Sequence, residues 1–128
     1  MKTELHYDTS SNTIYQKLRG LCSIQNLAEV FNEMEEYDLS PNLNILTDIS
    51  DADLKDTNYN SVSYLEKNLD KFLDNYLPVH NAIIAESDLE FGIARMYEML
   101  AEKDGFNVKV FRNKSDAEQW LKQQELFT

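Results

Sequence analysis

Apolar and polar positions change period several times along this chain, and each change marks an element. Two runs of strand character open it, Thr3–Asp8 and Asn12–Leu21, separated by Thr9, Ser10 and Ser11. Three turn-forming residues leave no room for a crossover, so the runs are predicted to pair antiparallel as a hairpin. Gly20, near the end of the second run, is expected to mark a close approach of another backbone. Ser23 is an N-cap residue type, and Ile24, Leu27, Ala28, Phe31 and Met34 follow at helical spacing, which predicts a first helix over 24–37. Ser40, Pro41 and Asn42 break the chain. Leu43–Ile49 then reads as a third strand, and the acidic stretch from Asp51 to Asn60 as a loop.

Val62, Leu65, Leu69, Phe72 and Tyr76 are three or four residues apart, predicting a second helix over 59–76 that Pro78 closes off. Ala82-Ile83-Ile84-Ala85 is a continuous apolar run, the mark of a strand covered on both faces. Ser87-Asp88-Leu89-Glu90 fits a capping box, and Leu89, Ile93, Met96, Tyr97 and Leu100 form a stripe on the helix behind it. Gly105 is the expected stop of that helix. Phe106–Phe111 alternates as a fifth strand. Ser115-Asp116-Ala117-Glu118 repeats the box ahead of Trp120 and Leu121, the inner face of a short last helix. The order ββαβαβαβα predicts one α/β domain over residues 1–128, a five-stranded mixed, mostly parallel sheet with four helices.

Composition narrows the partners. At 128 residues, with 42% hydrophobic and 27% charged, the chain is long and apolar enough to bury a core without staples. A formal net charge of −11 sets it against phosphate backbones and anionic membranes, so no nucleic acid is expected as partner. Cys22 is the one cysteine and cannot form an internal disulfide. With His6 and His80 far apart, no zinc spacing exists either. No stretch approaches the ~18 apolar residues of a membrane span. The first eight residues lack the apolar run of a secretory leader. A cytoplasmic location without a transmembrane segment is therefore expected.

Candidate chemistry gathers at strand ends, where ligands favour the carboxyl side of open α/β sheets. Asp48, Ser50, Ser87 and Asp88 are the candidate ligand or partner contacts there, although helix capping accounts for the last two. Asp48, Asp51, Asp53 and Asp56 offer oxygens to a hard cation, but Lys55 stands where an alternating ligand set needs another oxygen. A solvated acidic loop accounts for them, and no metal or cofactor is expected. Asp48 as a phosphoacceptor would lean on Arg112 in place of a lysine. Arg95 has the geometry to clamp a carboxylate or phosphate, or to pair with Glu98 or Glu102. Cys22 and His80 are a nucleophile and a base in type, yet nothing in the sequence brings them together. No glycine-rich phosphate loop, nucleophile elbow or HExxH string occurs, so no enzyme is expected.

Several strings taken together resemble the STAS/SpoIIAA-like superfamily and, within it, a branch of uncharacterised bacterial proteins. They are Leu46-Thr47-Asp48-Ile49-Ser50, Ala82-Ile83-Ile84-Ala85, Phe91-Gly92-Ile93-Ala94-Arg95-Met96-Tyr97, Val110-Phe111-Arg112-Asn113, and Ala117 through Trp120-Leu121. The resemblance spans nearly the whole chain and implies a STAS-type fold. In the best-known branch such domains bind a partner kinase and are switched by a serine in an Asp-Ser-Ser-Gly-Leu motif opening helix two. Here that region reads Thr57-Asn58-Tyr59-Asn60-Ser61-Val62-Ser63-Tyr64-Leu65, without the Asp and Gly. Ser61 and Ser63 remain as candidate phosphosites. The implied function is a non-catalytic protein-interaction or regulatory module with an unidentified protein partner. The alternative is a small apolar ligand or lipid, since STAS folds are similar to CRAL-TRIO lipid-transfer domains. Phe91 and Met99 fall outside the core stripe of helix three, beside the small Gly92 and Ala94, and form a candidate homodimer surface.

Overall fold

A computed structural model describes residues 1–125. Its elements in chain order are β1 (Lys2–Asp8), β2 (Thr13–Leu21), α1 (Ile24–Met34), β3 (Leu43–Asp53), α2 (Tyr59–Leu73), β4 (Val79–Ile84), α3 (Asp88–Ala101), β5 (Phe106–Phe111) and α4 (Lys114–Glu125). The strands lie in the order β1-β2-β3-β4-β5. β1 pairs antiparallel with β2, and every later pairing is parallel. This is the expected five-stranded mixed sheet with four helices.

The layering follows from that order. Each crossover steps to the adjacent strand in the same direction, and crossovers of one hand then put their helices on one face. α1, α2 and α3 accordingly share a face, where Ile14, Leu43, Phe72, Val79 and Phe106 form the centre of the main core. α4 has no following strand to reach and turns back under the opposite face. There Ala117 and Leu121 pack on Leu46, Ala82 and Ile84. β4 lies between both layers, which is why all six of its residues are buried.

Several local expectations are corrected. β3 extends to Asp53, so Asp51 and Asp53 belong to a strand rather than a loop. A register shift between Lys17 and Arg19 lets β2 continue alongside, pairing Arg19 with Asp51 and Leu21 with Asp53. Gly20 adopts φ +82 in that stretch, and a Cβ there would meet nothing within 4 Å. Its role is conformational, not to admit a neighbouring backbone. β4 begins at Val79, three residues early, because His80 and Asn81 are buried polar residues that hide its strand pattern. α1 and α2 stop at Met34 and Leu73, each running into tight turns: Tyr37 N bonds Met34 O at 3.2 Å, and Tyr76 N bonds Leu73 O at 2.9 Å.

Caps also differ. Ser23 does cap α1, accepting from Asn26 N at 3.2 Å. Ser87 sits at the N-cap of α3 but makes no side-chain cap bond. α4 starts at Lys114, and its capping acceptor is Asn113 Oδ1, bonded to Asp116 N at 2.9 Å, rather than Ser115. A capping box forms instead at α2, between Asn58 and Ser61. α3 ends at Ala101, and Gly105 (φ +86) instead turns the chain into β5. The inner face of α3 is Ala94, Tyr97 and Ala101. Ile93, Met96, Tyr97 and Leu100 of the expected stripe do pack on the core, while Leu89, at the start of the helix, is 53% exposed.

Candidate functional site

Side chains alternate along a strand, so every second residue of β2, β3 and β4 faces the three-helix layer. Those residues read Ile14-Gln16-Leu18, Ile45-Thr47-Ile49 and Val79-Asn81-Ile83. Each set has one polar residue at its centre. The parallel register places Gln16 opposite Thr47, and Ile45 opposite Asn81. A polar row thus crosses the middle of an otherwise apolar sheet face, with all three members buried.

Asn81 is well anchored: its Nδ2 donates to Ile45 O at 3.1 Å and to Thr47 Oγ1 at 3.2 Å. Gln16 is not. Its Nε2 reaches Thr47 Oγ1 only at 3.5 Å, the long limit of a hydrogen bond. Its Oε1 is buried and has no partner among the described residues. A buried amide oxygen without a partner costs about 1–3 kcal/mol.

Over this row lies a cavity of about 100 Å³. Gln16, Thr47 and Asn81 contribute to its sheet side. α1 adds Val30, Phe31 and Met34, α2 adds Val62, Leu65 and Leu69, and α3 adds Ile93, Ala94 and Tyr97. Burial, and then the charge of Glu66, pushes the Tyr97 phenol up, so it stays a neutral hydroxyl. No charged side chain lines the cavity among the described residues.

None of the candidate contact, phosphosite or dimer-surface residues drawn from sequence lines this cavity, although several residues of its helix stripes do. Asp48 lies on the other face of the sheet, its carboxylate 3.8 Å from Lys17 Nζ and accepting from Ser50 N at 2.9 Å. Ser50 is half-buried beside it. Asp51 pairs with Lys17 at 3.3 Å and Arg19 at 3.1 Å, so the strand-end acids belong to an ion-pair cluster. Asp88 pairs with Arg112 at 3.0 Å, while Arg112 also donates to Glu86 O and lies 4.0 Å from the Phe91 ring centre. Phe91 is half-buried under that guanidinium and packs against the main core rather than standing free on the surface, and Ser87 is exposed. Arg95 pairs with Glu98 at 2.8 Å. Ser61 serves the α2 cap, and Ser63 is half-buried on the same helix. Met99 is 73% exposed.

Cys22 and His80 are not brought together. Cys22 belongs to the core under α1–α3, whereas His80 contacts Trp120 of α4 across the sheet. Burial pushes the Cys22 thiol up, away from the thiolate a nucleophile needs. A more open groove of about 300 Å³ lies on the α4 face, walled by Glu4, His6, Tyr15, Lys17, Asp48 and Lys114. Its charges balance in sign.

No protein-family model and no curated protein sequence matches the chain. Among solved structures, it is similar to an uncharacterised protein of the DUF3478 family with a SpoIIAA-like fold from Shewanella loihica PV-4. That likeness has 18% identity, covers 93% of each chain and has a TM-score of 0.60. The chain therefore has a SpoIIAA-like, STAS-type fold, as its sequence strings implied. At this identity the likeness concerns the fold alone. Among the described residues, no helix is long and apolar enough to cross a membrane.

Proposed function

We propose that this protein is a non-catalytic binding module that holds a compact, largely apolar molecule between its sheet and helices α1–α3. The observation that carries this is the cavity above Gln16, Thr47 and Asn81. Close-packed interiors keep few voids larger than a water molecule, and an engineered apolar cavity of about 150 Å³ takes up benzene. Sites for drug-sized ligands run to about 300–1,000 Å³. A volume of about 100 Å³ lies below both, so a single small ring is the most it takes as placed. Size separates this reading from lipid carriage.

Titration with benzene, followed by amide NMR, tests it. Shifts should concentrate on residues lining the cavity and vanish in Ala94→Leu, which fills the space. If benzene leaves those amides unmoved, the proposal fails.

A second reading is interaction with a protein partner, a second copy of the chain included. Met99 favours it as a large apolar side chain that is 73% exposed on α3, and the STAS-type fold supports it by analogy. Sedimentation equilibrium at micromolar concentration should give the dimer mass, reduced to the monomer by Met99→Asp. A monomer mass for the unaltered chain defeats the homodimer.

A further inference from the structure

Resting on that cavity reading, we infer that the ligand is an uncharged molecule carrying one hydroxyl group, its hydrocarbon part against the helices and its hydroxyl at Gln16. Three features of the wall lead there. The helical side presents Val30, Leu69 and Ile93, which reward hydrocarbon. Among the described residues the wall offers no charged group to neutralise an ion, and an unpaired ion in such a space is strongly disfavoured. Within this apolar surround Gln16 is 7% exposed; its Oε1 has no partner among the described residues and is closed to solvent as placed, so a ligand hydroxyl reaches it only when the side chain turns toward the cavity.

The chemistry of the amide selects a hydroxyl. As it stands, Nε2 is directed to Thr47 Oγ1, and the unmet group is an acceptor. Turning the amide over lets Oε1 accept from the Thr47 hydroxyl and leaves an unmet donor instead. The Thr47 hydroxyl is free to donate, because its oxygen already accepts from Asn81. A hydroxyl both donates and accepts, so it satisfies Gln16 in either orientation. A pure hydrocarbon satisfies neither. Alcohols and phenols with the bulk of about one ring are the class that matches volume, wall and amide together.

Phenol and benzene differ by that hydroxyl and serve as probes on the full chain, with binding followed by calorimetry and amide NMR. Phenol should bind roughly tenfold tighter than benzene, the usual worth of one hydrogen bond that replaces an unmet group. Gln16→Leu keeps the volume and removes the amide. It should bind benzene at least as well and lose the preference for phenol, with a thermal melt confirming that it is folded. Gln16→Glu provides a second variant that retains a polar end should the first melt early. It should keep a preference for phenol, since a protonated or ionised carboxyl still accepts from the hydroxyl. Equal affinity for the two probes overturns the hydroxyl assignment while the cavity reading stands. A preference that survives Gln16→Leu overturns it too. If neither probe binds, both readings fall.

Discussion

The Tyr7 hydroxyl donates to Asn12 Oδ1 at 2.6 Å, joining the end of β1 to the last residue of the hairpin turn. Asn12 does more from the same position. Its Nδ2 donates to the carbonyls of Ser40 and Asn42, at 2.9 and 3.1 Å, and so ties the hairpin turn to the turn that enters β3. Its backbone has φ +50, a conformation that Asn tolerates better than most residues. Asn12→Ala should therefore lose both the bonds and the tolerance, at about 2 kcal/mol, whereas Asn12→Gly should lose roughly 1 kcal/mol less because it recovers the backbone freedom. Urea unfolding of the two variants measures the difference. An equal loss would show that the backbone conformation contributes nothing.

His80 lies edge-on to Trp120, with ring centres 6.2 Å apart and planes at 83°. Asn107 Nδ2 lies 3.3 Å from His80 Nδ1. Burial holds the His80 pKa below the ordinary 6.5, so the native ring resists protonation. The unfolded chain then binds the extra proton first, and stability rises with pH where the two states differ. The contribution is present above about pH 6.5 and is lost as pH falls below it. Urea midpoints at pH 7.5 and 5.5 should show this, and His80→Phe should flatten the dependence. His6 is common to both proteins and cancels in the comparison.

Two N-cap positions of similar type should respond differently. Asn58 Oδ1 accepts from Ser61 N at 3.1 Å, while Ser87 makes no side-chain cap bond. Asn58→Ala should cost about 1 kcal/mol. Ser87→Ala should fall within about 0.5 kcal/mol of the unaltered chain. Thermal unfolding in parallel reads both, and a large loss at Ser87 would contradict the geometry of the α3 start.

Asp51 is half-exposed between Lys17 and Arg19. Water screens such pairs, so Asp51→Asn should destabilise by less than about 1 kcal/mol, and the loss should shrink further in 0.5 M salt. A loss independent of salt would point to a role other than charge pairing. Denaturant unfolding at low and high salt decides between them.

The local features of this chain were legible because they are local. Apolar period separates strand from helix within ten residues, and a short turn forces β1 and β2 to pair antiparallel. Alternation of strand and helix then implies parallel neighbours and a single direction of winding. Cap bonds were less legible, since Ser87 and Asn58 are both good cap types and only backbone geometry gives one of them a partner. The end of β3 was hidden because Asp51 and Asp53 look like loop residues until β2 supplies Arg19 and a strand to pair with. The cavity was further out of reach. A polar residue in mid-strand at Gln16, Thr47 and Asn81 was a signal present in the sequence, one per strand. Reading them as one row requires the register across three strands, residues 31 and 34 positions apart. Sequence spacing along one element determined the elements and their order. Only tertiary structure decided which side chains share a wall and which lack a partner, because packing and hydrogen bonding act between segments that the chain itself keeps apart.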